Sequence, residues 1–138
     1  MYHFIKDKTA QESVRKFANN LKKYYLCNNK QANMVVTFEK EYLRDLYEKG
    51  ISPDKKHRFQ PEIIKNYIRR IKTLEEADEI EDLFSINSLN YEILTGDKQG
   101  ISSIRVNNQY RIEFTATHQE SEPVITVCNI LELSNHYK

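Results

Sequence analysis

The chain has 138 residues, 39% of them hydrophobic and 30% charged, and a formal net charge of +1. That length supports one soluble domain with a sizeable core, and no stretch approaches the ~18 consecutive apolar residues of a membrane-spanning helix. Two cysteines, Cys27 and Cys128, are too few for a disulfide framework, and no Cys/His cluster has zinc-ligand spacing.

The opening MYHFI is too short for a signal-peptide core, so the expected compartment is the cytoplasm. Thr9-Ala-Gln-Glu12 fits a capping box. Val14, Phe17, Ala18, Leu21, Tyr24 and Tyr25 then recur at helical spacing, predicting a helix over about 10–26. CNNKQAN (27–33) breaks the pattern and reads as a linker. Residues 1–33 carry seven lysines and arginines against two acids, a net +5, whereas residues 34–138 carry fourteen against eighteen, a net −4. Such asymmetry fits nucleic-acid contact, docking of one part on the other, or a solvated helix face. The expected division is therefore an N-terminal helical extension, 1–33, and a domain, 34–138.

MVVTF (34–38) reads as a strand. In the next segment Tyr42, Leu43, Leu46 and Tyr47 form one helical stripe, and Gly50 suits its C-terminal stop. After a polar loop, Pro61 opens a second helix whose stripe is Ile63, Ile64, Tyr67, Ile68, Ile71 and Leu74. The acidic run Glu75–Phe84 predicts another helical turn or two, with Ile80, Leu83 and Phe84 turned inward. From Tyr91 the period becomes two, predicting strands near 91–95, 101–106, 110–117 and 124–132. Cys128 lies in the last of these apolar runs and is expected to be a buried, reduced thiol. Helices followed by hairpin-linked strands define an α+β class.

The turn after Val106 decides where two arginines go. A two-residue turn would set Ile104 against Arg111, mixing apolar and charged residues on one face. A three-residue loop, Asn107–Gln109, instead pairs Val106 with Tyr110, Arg105 with Arg111 and Ile104 with Ile112, with an asparagine in the left-handed conformation. Like charges so placed repel. Either Glu113, on the same face, bridges the guanidiniums, or an anion does, most naturally a phosphate.

The stretch LTGDKQGISSIRVNNQYRIEF (94–114) resembles HigB-type toxins, the plasmid-maintenance killer branch of the RelE/ParE superfamily. The likeness is carried by Leu94, Gly96-Asp97-Lys98, Gly100, Ser103-Ile104-Arg105-Val106-Asn107 and Tyr110-Arg111-Ile112-Glu113-Phe114. It spans about 34–138, including a last strand and the near-terminal His136. The resemblance implies a RelE-like microdomain of two helices on an antiparallel sheet of four to five strands, with the extra N-terminal helix added.

It also implies a type II toxin: a ribosome-dependent, metal-independent mRNA endoribonuclease that inhibits translation without any cofactor. Its implied partners are the ribosome, mRNA and a helix-turn-helix antitoxin of HigA type. Arg111 would stabilise the transition-state phosphate, Arg105 would bind the same or a neighbouring phosphate, and His136 would transfer the proton. Lys98, Asn135 and Tyr137 would contact RNA. Relatives commonly carry a cation where Thr95 stands and end in Asp-Tyr-His, against Ser134-Asn135-His136-Tyr137-Lys138 here. Those departures keep a second reading open, a non-catalytic relative that acts by binding gyrase or within a repressor complex. His3, His57 and His118 fall in tail or loop positions and read as solvated. The tyrosines read as core packing, and Lys65, Arg69 and Arg70 as a solvated helix face before an RNA contact.

Overall fold

A computed structural model describes residues 12–17, 34–52, 54–119 and 125–135. Thr9, the 27–33 linker, His3, Cys27, His136 and Tyr137 lie outside the described residues. Of the predicted first helix, residues 12–17 are described and are helical; this turn is α1.

Strand β1 (Met34–Phe38) leads into helix α2 (Glu41–Glu48), then helix α3 (Pro61–Glu76). Helix α2 buries Tyr42, Leu43 and Leu46, and Gly50 past its end takes φ of +69°, a conformation that costs a residue without Cβ little. Helix α3 starts at Pro61, whose missing N–H would be unpaired there anyway, and buries Ile63, Ile64, Tyr67, Ile71 and Leu74. The two helices are tied where the Tyr67 hydroxyl, fully buried, donates to the Leu43 carbonyl at 2.8 Å. Tyr67→Phe is expected to cost about 1 kcal/mol of stability, read from the urea midpoint at constant m-value.

The acidic stretch forms a 3-10 turn over Ile80–Ser85 and another over Asn87–Leu89. Ile80 and Leu83 are buried as expected, but Phe84 is 53% exposed and not turned inward. With three residues per turn, positions 80 and 83 stack on one face and 84 is rotated away from it.

Strands β2 (Glu92–Ile93), β3 (Ser102–Arg105), β4 (Tyr110–Gln119) and β5 (Ile125–Asn135) complete a sheet of order β1-β5-β4-β3-β2. The pairs β2–β3, β3–β4 and β4–β5 are antiparallel as expected, while β1 runs parallel to β5, with Met34 beside Thr126 and Phe38 beside Ile130. A parallel partner needs a crossover, and here the crossover is the two helices and the hairpins. Leu131 is an extra residue on β5, because Glu113 faces Glu132 while Phe114 faces Ile130.

Both helices pack on one face of the sheet, around Ile104, Ile112, Phe114, Cys128 and Ile130. Cys128 is fully buried, and burial pushes its thiol up to about 12. The native state therefore holds that proton after an unfolded chain would release it. Stability linked to Cys128 is expected to be intact below about pH 9 and to be lost progressively toward pH 12. An aromatic disulfide reagent at pH 8 should label Cys128 only as fast as the protein opens, as peptide mapping after timed labelling would show.

Candidate functional site

The register settles the hairpin: Arg105 faces Arg111 and Ile104 faces Ile112. The loop is closed by the Val106 and Asn107 amides, which donate to the Tyr110 carbonyl. It uses no left-handed asparagine. Instead the Asn107 side-chain carbonyl accepts from the Gln109 and Tyr110 amides at 2.9 and 2.7 Å.

With Ile104 and Ile112 facing the helices, both arginines point to the helix-free face. Two cross-strand rows meet there: Arg105, Arg111 and Ser134 in one, and Glu92, Ser103, Glu113 and Glu132 in the next. The Arg111 side chain is only 7% exposed and is held from several directions. Its Nε donates to Ser103 Oγ at 2.5 Å, and its Nη2 donates to the carbonyls of Asn90 at 2.6 Å and Ser103 at 3.2 Å. A Glu92 carboxylate oxygen lies 3.8 Å from Nη2. Burial, and secondarily the repulsion of Arg105, lowers the Arg111 guanidinium from its ordinary value, partly offset by Glu92 and Glu113.

Asn90 presents its carbonyl to Arg111 from φ of 44°, the one positive φ at a non-glycine position among the described residues. Strain at a residue that orients a buried cation fits a site whose geometry is fixed in advance.

Arg105 is exposed, and its Nη2 donates to Asn108 Oδ1. Arg70 of α3 is held at the 3-10 turn before β2. Its guanidinium contacts Ser88 Oγ and the Ser88 carbonyl at 3.4 Å, and burial, Arg69 and Arg105 together lower it. The helical stripe put Arg70 on a polar face, but spacing along α3 does not show that its guanidinium reaches the Ser88 turn.

Glu113 does not bridge the arginines. Both of its oxygens accept from Lys98 Nζ, at 3.1 and 2.8 Å. Across the strands, Glu132 accepts from Lys40 Nζ and the Tyr42 hydroxyl, each at 2.5 Å. Burial alone would raise the Glu132 carboxyl, yet these two donors leave it below the usual carboxylate range. Each acid of this cross-strand pair thus has its own lysine. His57 is not simply solvated: its ring stacks on Tyr42 at 3.7 Å and its Nδ1 lies 3.1 Å from Asp54. His118 stands on β4 rather than in a loop, with Nδ1 2.9 Å from Thr126 Oγ1. Asn135 ends β5 opposite Tyr110, beside the arginine row.

The fold and site define a class: a small α+β domain with its helices on one face of a five-stranded sheet and paired arginines on the other. Residues 36–125 match the family described as "RelE-like toxin of type II toxin-antitoxin system HigB". Toxin HigB-1 of Vibrio cholerae is 37% identical over 82 residues, which is 59% of this chain and 82% of that protein. A solved YoeB/ParE toxin from Agrobacterium tumefaciens aligns over 75% of this chain and 100% of its own, at 12% identity and a TM-score of 0.49. The chain belongs to the family of RelE-like HigB toxins. It is thus a toxin of a type II toxin-antitoxin system, and an antitoxin is its partner. No helix among the described residues is long and apolar enough to cross a membrane.

Proposed function

We propose that this toxin is a ribosome-dependent endoribonuclease that cuts mRNA in the cytoplasm and thereby stops translation. A HigA-type helix-turn-helix antitoxin would neutralise it. The observation that carries the reading is the Arg105–Arg111 pair on the helix-free sheet face, with Arg105 exposed and Arg111 locked by Ser103 and Asn90. Cleavage by an adjacent ribose 2′-OH puts negative charge on the phosphorane, and fixed guanidiniums aimed at that charge lower the barrier. Arg111 takes the transition-state charge, and exposed Arg105 holds the same or a neighbouring phosphate. His136 moves the proton, because an imidazole titrates near neutrality. Asn135 and Tyr137 flank it as RNA contacts. These side chains supply the charge and proton transfer that a metal would otherwise provide.

Lys98 is the remaining RNA contact, and Glu113 now occupies it. Glu113→Gln is expected to release Lys98, strengthen binding of a single-stranded oligoribonucleotide several-fold at low salt, and steepen the log–log salt slope by about 0.7. Fluorescence anisotropy across a salt series measures both.

Mapping mRNA 5′ ends on translating ribosomes, with and without purified protein, tests the activity. New ends dependent on the toxin support it. Unbroken mRNA with growth still arrested would favour action by binding, on gyrase or within a repressor complex.

A further inference from the structure

The helix-free face has a second region, at its β1–β5 side. Val35, Ile125 and Val127 form a cluster of their own there, at 4%, 1% and 5% exposure. No side chain of α2 or α3 belongs to it, since those helices pack on the opposite face. Among the described residues no further buried hydrophobic side chain joins it either. Thr115 faces the same way, opposite Asn129, and its buried hydroxyl has no hydrogen-bond partner among the described residues. Side chains on one face of a sheet lose water only when something lies over them.

We propose that residues 10–26 of this chain dock over Val35, Ile125 and Val127 and lend their cations to the arginine row on the same face. Three observations support this occupant. Its apolar residues Val14, Leu21 and Tyr24 recur at helical spacing, and residues 12–17 are helical, with Val14 the half-buried side chain of that turn. The chain enters the sheet at Met34, beside the patch, and the seven residues 27–33 span up to about 25 Å when extended. Strands lie about 4.8 Å apart, so β4 is within that reach.

Charge decides what the docked segment does. Residues 1–33 carry a net +5; on this face Glu113 and Glu132 are each bonded to a lysine of the domain, and Glu39 accepts from the Asn129 side-chain amide. In that position Arg15, Lys16, Lys22 and Lys23 extend the phosphate track that begins at Arg105 and Arg111. This second half rests on the RNA reading above; the docking itself does not.

Two measurements on the full-length chain test the halves separately. Methyl-labelled NMR should show contacts from Val35, Ile125 and Val127 to the Val14 methyls and the Tyr24 ring, which Leu21→Asp abolishes while leaving the sheet intact. Their absence in the wild type overturns the docking. The K16Q/K22Q/K23Q variant should bind a single-stranded oligoribonucleotide more weakly, with its salt slope reduced by up to about 2. An unchanged slope overturns the arm's role even where the contacts are seen. A wild type that binds no RNA overturns that role together with the nuclease reading and leaves docking to be decided by the contacts.

Discussion

Arg111→Ala is expected to lower mRNA cleavage by about 10²–10³-fold, the usual cost of deleting a donor aimed at transition-state charge. It should also destabilise the fold. The side chain spans β3 and the turn before β2, and its loss leaves Ser103 Oγ and the Asn90 carbonyl without their donor. An unpaired buried acceptor costs about 1–3 kcal/mol. Arg111→Lys separates the two effects, because it keeps a cation but cannot reproduce the planar fork. Cleavage measured beside thermal melts checks the claim. A folded Arg111→Ala protein within threefold of wild-type cleavage would remove Arg111 from the mechanism. Arg105→Ala, at an exposed position, should cost activity with little change in stability.

The largest effect on stability is expected at Phe114. Its ring is fully buried, faces Ile130 and Ser102 across the neighbouring strands, and meets Tyr91 edge-on at 6.0 Å. Phe114→Ala should cost about 3–5 kcal/mol, a large share of the 5–15 kcal/mol typical of a domain. The register shift between β4 and β5 begins at this residue, next to Glu113 and three positions from Arg111. Loss of the ring should therefore loosen the site as well as the core. Urea unfolding gives the first quantity, and hydrogen exchange at the Arg111 and Glu113 amides gives the second. Phe114→Leu, closer in volume, should cost much less.

The arginine pairing was legible in the sequence because alternation on two faces leaves one self-consistent register, with Ile104 facing Ile112. The helices were legible for a similar reason: the stripes of α2 and α3 are uninterrupted, and Gly50 and Pro61 punctuate them. The partner of Glu113 was not. Lys98 reaches it from a turn that begins at Gly96, a long-range contact that spacing along β4 cannot reveal. The Asn90 carbonyl behind Arg111 depends on one residue's φ, which an asparagine adopts readily, but nothing in SLNY points that carbonyl at an arginine 21 residues on. The stacking of His57 on Tyr42 joins a loop to a helix. The parallel pairing of β1 with β5 joins segments about 90 residues apart, and local pattern does not encode such a match.

That pairing has a consequence for when the toxin comes into being. β5 lies between β1 and β4, so the strand that knits the first part of the sheet to the rest follows the other four in the chain. Until it is available, β1 has no neighbour and β4 lacks one edge, and contacts of such high sequence separation form slowly. A nascent chain still short of Ile125 can hold its helices and its Arg105–Arg111 hairpin but not the completed sheet. The sheet therefore becomes whole only once residues 125–135 have left the ribosome.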